Sequence, residues 1–271
     1  MSSSRLSSCA HRLLPQFQFR LRTLVLGMSI LAVILAPVRA EIARCQTIQG
    51  IVQHISNCRG EVYFDYQWSE EGVVLRQLES NQPRWVQHLF GSHAFAQIIE
   101  IRLDRQRIAL STMQHIGENC PRLKYLSLRG ASINDSTMPS IALCKELEFL
   151  ELSDTVISDQ GLAHLVDHDR LETLCLENTK ISGSSFKTIS KLEKLRNVTL
   201  ENAAVNDHDI AQLAESRSIE TLFLAGTEVT DEVIPHLARM PSLTTISLNR
   251  TKVTPAGRAQ LQKLRPKISQ I

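Results

Sequence analysis

The sequence predicts an α/β solenoid in which short parallel strands line a concave face and helices line the convex face. A six-residue motif of the form LxxLxL, typified by residues 147–152, recurs at a constant step of 24 residues. An aliphatic residue and a helix-capping residue follow each copy at the same step. A fixed period between about 20 and 50 residues is typical of a solenoid. The copies begin at Leu123, Leu147, Leu171, Leu195, Ile219 and Leu243, and Ile98 fits with one extra residue.

The first 40 residues are predicted to be a targeting segment and not part of the solenoid. Residues 1–22 are basic and rich in serine, and residues 23–38 are a continuous apolar run. Small residues at Val38 and Ala40 complete the arrangement of a secretory signal peptide with a long basic region. The alternative is an uncleaved membrane anchor in which residues 21–38 span the bilayer. Both interpretations predict export of the remainder to the periplasm, the cell surface or the medium.

The charge balance argues against nucleic acid as a partner. The chain carries a formal charge of +2, but residues 1–40 hold five arginines and no acidic residue. Without them, 25 basic and 28 acidic side chains remain, so the rest of the chain has a net charge of −3. A mildly acidic body lacks the basic surface that binds a phosphate backbone.

Residues 41–97 do not fit the repeat and are predicted to cap the first coil. Apolar residues recur at helical spacing over 41–57, and the aromatic and β-branched run at 61–68 predicts a strand. A polar loop is expected at 69–82 and a short helix at 83–90. Terminal units of solenoids are atypical because they cover an otherwise exposed core. The residues interpreted as the plug on that core are Phe64, Trp68, Trp85, Phe90 and Phe95.

Residues 98–271 are predicted to hold seven repeats and a closing edge. Each repeat consists of a short strand with three inward leucine-type residues, a turn, a capping residue and a helix. Residues 267–271 are expected to begin an eighth strand. The capping residues are Asn134, Ser158, Ser182, Asn206, Thr230 and Thr254, and an acid suited to the positive end of the helix dipole follows at Asp135, Asp159, Asp207 and Asp231.

The seven LxxLxL strands and the Thr-x-[Ile/Val]-[Ser/Thr]-Asp turns resemble the leucine-rich repeat family. The 24-residue form, as at residues 227–231, resembles exported bacterial repeat proteins of the planctomycete type. The resemblance covers residues 83–271 well and residues 41–82 weakly. It implies a horseshoe-shaped binding protein. Its usual asparagine after the strand is replaced by Ala131, Thr155, Thr179, Ala203, Thr227 and Thr251, so threonine hydroxyls are expected to make part of the missing hydrogen bonds.

The cysteines offer one candidate disulfide and one candidate reactive thiol. Cys45 and Cys58 are a candidate pair in an oxidising compartment, although 13 residues along a helix and its exit need not bring them together. Cys120 and Cys144 hold matching positions of adjacent repeats, where small buried apolar side chains are expected. Cys175 lies between two inward leucines and should face outward on the concave side.

No sequence motif indicates catalysis, a cofactor or a metal site. Phosphate-binding loops, serine-hydrolase elbows, HExxH and CxxC patterns are absent from the sequence. His164 and His168 are four residues apart, but no third ligand is evident, so a solvated helix face is the expected role. The protein is therefore predicted not to be an enzyme.

The outward strand positions form the candidate binding surface. Tyr125 and Phe149 hold equivalent positions on neighbouring strands and are expected to lie about 5 Å apart. Exposed aromatic residues ringed by charge are typical of protein interfaces. The alternative is that these aromatics are incidental exposed apolar side chains. The predicted partner-binding residues are Arg102, Tyr125, Arg129, Phe149, Glu151, Glu177, Glu201 and Phe223.

These features predict an exported or membrane-anchored module that binds a protein, or a glycan, through its concave face. One alternative is a substrate-recognition adaptor of a ubiquitin ligase, because F-box-associated proteins carry similar repeats. That alternative requires a cytosolic chain with an F-box module, which residues 41–97 do not resemble. A purely structural spacer in the cell envelope is another alternative.

Overall fold

The computed structural model describes residues 21–69, 80, 82–91, 93 and 95–270. The chain divides into two compact units, Met1–Ala43 and Arg44–Ile271. In the first unit the described apolar side chains between Met28 and Val38 are exposed. Among the described residues, no helix is both long enough and apolar enough to cross a membrane. Residues 1–20 of the predicted targeting segment and most of the predicted loop at 69–82 lie outside the described residues.

The second unit is built on one sheet, which has nine strands within the described residues. The strands follow chain order, the first is antiparallel to the second, and all later neighbours are parallel. This arrangement confirms the predicted α/β solenoid, and its last described strand lies within residues 267–271. The strands are β1 (Glu61–Phe64), β2 (Ile98–Arg102), β3 (Tyr125–Ser127), β4 (Phe149–Glu151), β5 (Thr173–Cys175), β6 (Asn197–Thr199), β7 (Thr221–Phe223), β8 (Thr245–Ser247) and β9 (Ser269–Gln270).

The inward positions of the motif form continuous ladders of buried side chains. Leu147, Leu150 and Leu152 are each 0 % exposed. A single coil would leave these side chains in water, but the coils on both sides cover them. Because burial of an aliphatic side chain contributes about 1.5–3 kcal/mol, each coil is stabilised mainly by its neighbours.

Short helices lie on the side of each coil opposite the sheet, and most start at the predicted capping residues. The hydroxyls of Ser158, Thr230 and Thr254 accept hydrogen bonds from backbone N–H groups of the first turn, whereas Ser182 makes no such bond. Helices this short are unstable alone and depend on packing. The helices are α1 (Leu21–Asn57), α2 (Arg84–Phe90), α3 (Leu110–Asn119), α4 (Met138–Ile141), α5 (Asp159–Leu162), α6 (Gly183–Ile189), α7 (Asp207–Leu213), α8 (Ile234–Arg239) and α9 (Pro255–Leu264).

The acids that follow the capping residues also link neighbouring coils, in addition to their favourable position at the positive end of the helix dipole. Asp207 accepts hydrogen bonds from the backbone N–H of Thr230 at 2.8 Å and from its hydroxyl at 2.7 Å. Gly183 interrupts this series, and the Asn206 N–H donates to Asp209 of its own coil instead, at 2.9 Å. Hydrogen bonds to a charged acceptor are stronger than neutral ones. Equivalent links join Asp135 to Ser158, Asp159 to Ser182 and Asp231 to Thr254.

The turn that leaves each strand repeats a left-handed residue. Asp154 and Arg250 have φ of 60° and 56°, in a region that glycine and asparagine enter most easily. Further along the turn the Thr155 hydroxyl donates to the Leu152 carbonyl at 2.5 Å. The threonine bonds therefore stay within one coil and do not form a ladder between coils. The equivalent left-handed residues are Arg105, Gly130, Asn178, Asn202 and Gly226, and the equivalent threonines are Thr179, Thr227 and Thr251.

The segment before β2 departs from the predicted aromatic plug. Phe64 is buried at 2 % exposure, but Trp85 and Phe95 are 64 % and 48 % exposed and do not cover the core. Strand β1 ends at Phe64 because a 3₁₀ turn, Asp65–Gln67, follows it. The short predicted helix is confirmed as α2.

The structure contradicts the predicted disulfide between Cys45 and Cys58, because both thiols are free. Cys45 lies inside α1, and Cys58 comes directly after the helix ends at Asn57. At about 1.5 Å per residue, 13 residues separate the two positions by about 19 Å. Cysteines that form a disulfide have Cα atoms only about 4.4–6.8 Å apart.

Arg265 binds a group of backbone carbonyls between α8 and β8. Its guanidinium donates to the carbonyls of Ala238 at 3.1 Å, Met240 at 2.6 Å and Leu243 at 3.1 Å. These carbonyls lie in the last turn of α8 and in the segment that leads into β8. The side chain therefore satisfies backbone acceptors of the connection between the helix and the strand.

Candidate functional site

The outward side chains of the strands form two rows across the concave face. Neighbouring strands lie about 4.8 Å apart, so side chains in one row contact one another across the sheet. The first row runs through Tyr63, Glu100, Tyr125, Phe149, Thr173 and Asn197. The second row, two residues along each strand, runs through Arg102, Ser127, Glu151, Cys175, Thr199 and Phe223.

Tyr125 and Phe149 stack in the first row, which confirms their predicted adjacency. Their ring centroids are 4.0 Å apart and their planes differ by 3°. Both side chains remain partly exposed. Burial raises the pKa of the Tyr125 hydroxyl to about 12, against the opposing effect of Arg102. The pair is therefore a flat, neutral, partly open aromatic surface at physiological pH.

Arg102 is flanked by two aromatic rings and a buried carboxylate. Its guanidinium carbon lies 5.7 Å from the ring centre of Tyr63 and 5.4 Å from that of Tyr125. Its Nε donates to Glu100, whose side chain is only 1 % exposed. Burial lowers the pKa of Arg102, but the Glu100 carboxylate outweighs burial and raises it overall. Arg102 thus neutralises a buried carboxylate and supports the aromatic pair from the side.

Carboxylates dominate the adjoining part of the surface. Arg129 donates to Asp154 at 3.0 Å and to Glu177 at 2.9 Å. Burial raises the pKa of Glu177; Arg129 opposes this effect, and the carboxylates of Glu201 and Glu151 add to it. Burial, with repulsion from these neighbours added, therefore makes Glu177 harder to ionise than an isolated glutamate.

Phe223 lies apart from the other predicted residues. Strand β7 is three strands from β4, a distance of about 14 Å across the sheet. The neighbours of Phe223 in its row are the uncharged Thr199 and Ser247. The other seven candidates lie on strands β2 to β6 or directly after them. These seven residues make up the concave platform: Arg102, Tyr125, Arg129, Phe149, Glu151, Glu177 and Glu201.

Cys175 occupies an outward position, as predicted, but it is not a reactive thiol. Its side chain is 8 % exposed, and burial raises its pKa to about 12, with Glu151 adding to the shift. A thiol needs to ionise before it can act as a nucleophile. Glu151, Thr199 and Glu177 lie close enough to interact with it, which the alternation of strand residues alone did not indicate.

His168 contradicts the expected solvated pair of histidines. It is 0 % exposed, whereas His164 is exposed. The 3₁₀ turn Ala163–Leu165 ends the helix before His168, so the two rings do not share a helix face. Burial lowers the pKa of His168, and Lys145 adds to the effect. Within the described ranges, no group of three histidine, cysteine or acidic residues is placed to hold a metal ion.

Two residues of the surface were not predicted from the sequence. Tyr63 belongs to the segment before the repeats, and only the antiparallel pairing of β1 with β2 places it beside Glu100. Asp154 pairs with Arg129 from a left-handed turn position. The glycines and asparagines that recur at that position, at the 24-residue step, are the signal that could have located it.

A separate groove lies between α1 and α3 in the second unit. It encloses about 350 Å³. His54 Nε2 and Thr112 Oγ1 are 2.8 Å apart across it, so part of its polar lining is already engaged. None of its described lining residues is an aspartate, glutamate, lysine or arginine. The groove is lined by Thr47, Gly50, Ile51, His54, Ser111, Thr112 and His115.

Comparison with solved structures identifies the fold. Internalin C2 from Listeria monocytogenes aligns with a TM-score of 0.53 and 22 % sequence identity, over 68 % of this chain and 74 % of that one. The chain has the leucine-rich repeat fold. A second Listeria monocytogenes internalin aligns at 16 % identity, over 63 % of this chain and 65 % of that one, with a TM-score of 0.39. No protein-family model and no curated protein matches the leucine-rich repeat chain in sequence.

Proposed function

We propose that this protein is a non-enzymatic binding module that takes a polypeptide partner on the concave platform. The observation that carries the proposal is the stacked Tyr125–Phe149 pair, which lies partly exposed beside the charged side chains of the sheet face. Aromatic side chains of this kind are the usual anchors of protein interfaces. Charged groups around them suit the polar rim of such an interface.

The rigidity of the surface supports this proposal. Tyr125 and Phe149 stand on strands whose register is set by the repeat, and Arg102 packs against the Tyr125 ring. A partner therefore does not have to order these side chains on binding, which reduces the entropic cost of association. An aromatic pair held in this way presents contact area at a small loss of conformational freedom.

A selection from displayed random peptides tests the proposal. The full chain is immobilised, and binders are compared on the wild type and on a Tyr125→Ala/Phe149→Ala variant. The proposal predicts binders that lose most of their affinity on this variant, because truncating central aromatic anchors typically costs about 2 kcal/mol or more each. A Leu143→Ala/Val156→Ala variant is the matched control, since both side chains are exposed apolar residues off the strands.

Two results contradict the proposal. One is the absence of any binder that distinguishes the aromatic variant from the control variant. The other is a set of binders that responds to the control variant alone, which would place the binding surface elsewhere. Circular dichroism on each variant separates loss of binding from loss of fold.

We also infer that residues 1–40 direct export of a body made of the 41–97 cap and the 98–271 repeats. The basic run, the apolar run and the small residues before Glu41 support this inference. The boundary between the two compact units, after Ala43, lies close to the predicted cleavage site. Exported repeat proteins of the planctomycete type are the class that the turn motif favours.

Fractionation with N-terminal sequencing tests the export inference. Expression of the full chain in a bacterium is expected to give a soluble exported species that begins at Glu41. An intact N-terminus in the membrane fraction would instead make the segment an anchor. Intact protein in the cytosol would contradict export and would favour the adaptor alternative.

A further inference from the structure

We infer that the concave platform selects a basic polypeptide segment, in which an aromatic or aliphatic side chain packs on Tyr125 and Phe149 while a lysine or arginine lies between Glu177 and Glu201. The inference rests on the proposed function and adds the chemistry of the partner. Charge, register and spacing on the concave face carry it.

The charges of the platform do not balance. Arg102 is already engaged by the buried Glu100, so it adds no net positive charge to the open surface. Arg129 is shared between Asp154 and Glu177. A negative excess therefore remains beside the aromatic pair.

Glu151 and Glu201 are less fully neutralised than Glu177. Among the residues that the structure describes, no basic side chain forms an ion pair with either carboxylate, although Arg129 acts on Glu151 at longer range. The residues between these carboxylates, Cys175 and Thr199, are uncharged. Burial raises the pKa of Glu177, and repulsion from Glu201 and Glu151 adds to this effect, so a cation supplied by a partner would offset part of the shift.

The spacing of the platform fits an extended peptide. Glu151 pairs with Cys175, so Glu177 lies four residue positions beyond Phe149 along the strand direction and one strand across, about 14 Å away. Side chains four residues apart in an extended peptide face the same side and are separated by about 13 Å. A segment lying along the strands can therefore place an apolar side chain on the rings and a basic one on the carboxylates.

Charge complementarity favours this occupant over an acidic or neutral one. Like charges brought together at an interface oppose association, whereas opposite charges increase its rate and select the partner. An acidic segment would be repelled by Glu151, Glu177 and Glu201. Arg129 is the nearby cation, and it is already paired with Asp154 and Glu177. A basic segment meets three carboxylates and displaces no buried group.

The experiment uses the peptides that depend on Tyr125 and Phe149 in the display selection. These are expected to contain more lysine and arginine than aspartate and glutamate, and to bind more weakly as salt is raised. A Glu177→Gln/Glu201→Gln variant is expected to bind them roughly tenfold less tightly. A Glu220→Gln/Glu228→Gln variant is the matched control, because these exposed carboxylates lie off the concave rows.

Two further variants keep the inference testable if the glutamine variant is unstable. Arg129→Gln frees Glu177 and is expected to tighten binding of the same basic peptides a few-fold. Glu177→Lys/Glu201→Lys is expected to favour acidic counterparts of the selected peptides, a reversal that unfolding does not produce.

The outcomes separate the two proposals. Binders that need Tyr125 and Phe149 but are neutral or acidic, and that ignore the glutamine variant, would overturn the basic-partner inference and leave the proposed function standing. The absence of any binder that needs the aromatic pair would overturn both. Basic peptides support both proposals if they bind the wild type and the Glu220→Gln/Glu228→Gln control equally well and bind the Glu177→Gln/Glu201→Gln variant more weakly.

Discussion

Replacing Arg102 tests how the concave face is held together. In an Arg102→Met variant the apolar part of the side chain remains, but Glu100 loses its guanidinium partner at 1 % exposure. The rings of Tyr63 and Tyr125 also lose the cation that lies over them. We therefore expect a loss of stability that exceeds what a surface ion pair would cause.

The magnitude follows from the burial of the two partners. Removing one member of a buried ion pair typically costs about 3–5 kcal/mol because the other charge stays buried. Arg102 is 34 % exposed, so water already screens part of the interaction and the lower end applies. We expect a loss of about 2–3 kcal/mol in the free energy of unfolding, or a fall in Tm of roughly 5–10 °C.

Urea unfolding followed by circular dichroism measures the effect, with the m-value as a check that unfolding stays cooperative. A Glu100→Gln/Arg102→Met variant is the control, because it removes the buried charge together with its partner. It is expected to be more stable than Arg102→Met alone. Two results would contradict this expectation: a loss in the free energy of unfolding below about 1 kcal/mol for Arg102→Met, or a Glu100→Gln/Arg102→Met variant that is less stable than Arg102→Met.

Four further predictions concern the coils. Asp159→Asn is expected to lower the free energy of unfolding by roughly 1–2 kcal/mol, because its neighbours lose a charged acceptor; urea unfolding measures it. Arg250→Gly, at φ 56°, is expected to raise the unfolding midpoint, whereas Gln260→Gly within α9 is expected to lower it. The pKa of His168 is lowered in the folded protein, so near the ordinary value of 6.5 the unfolded chain binds more protons than the folded one. Stability is therefore expected to fall as the pH drops through that value. The His168→Leu variant should show a smaller change of the urea unfolding midpoint with pH. Cys175, with a pKa near 12, is expected to react with iodoacetamide at neutral pH far more slowly in the folded protein than in urea, as mass spectrometry would show.

Each of these predictions has a contradicting result. Equal stability of Asp159→Asn and the wild type would mean that the links between coils are dispensable. A destabilised Arg250→Gly variant would mean that the arginine side chain contributes more than its backbone strain costs. An unchanged pH slope without His168, or fast alkylation of folded Cys175, would show that these side chains are less buried than the structure has them.

The repeat explains why so much of the fold was predictable. Leu126, Leu150 and Leu174 follow the 24-residue step and lie side by side on consecutive strands. Such ladders depend only on local periodicity, because every coil buries its side chains against a copy of itself. The adjacency of Tyr125 and Phe149 followed from the same rule.

The predictions that the structure contradicts lie where the repeat does not apply. The candidate disulfide between Cys45 and Cys58 does not form, because the helix that contains Cys45 keeps the two residues apart. Trp85 and Phe95 are exposed, and the segment before β2 places Phe64 in the core instead. His168 is buried because the short helix ends before it, so helical spacing does not extend to this residue.

The solenoid, its register and the row to which each outward residue belongs were predictable from the amino-acid sequence, because they depend on a period that every coil repeats. The exposure of each outward side chain was visible only in the folded protein. Glu100 is buried beside Tyr63 of β1 and Cys175 is buried in the second row, whereas Arg102, Tyr125 and Phe149 stay partly exposed. Exposure depends on contacts between strands and on an end segment that occurs once, and the period of the repeat encodes neither.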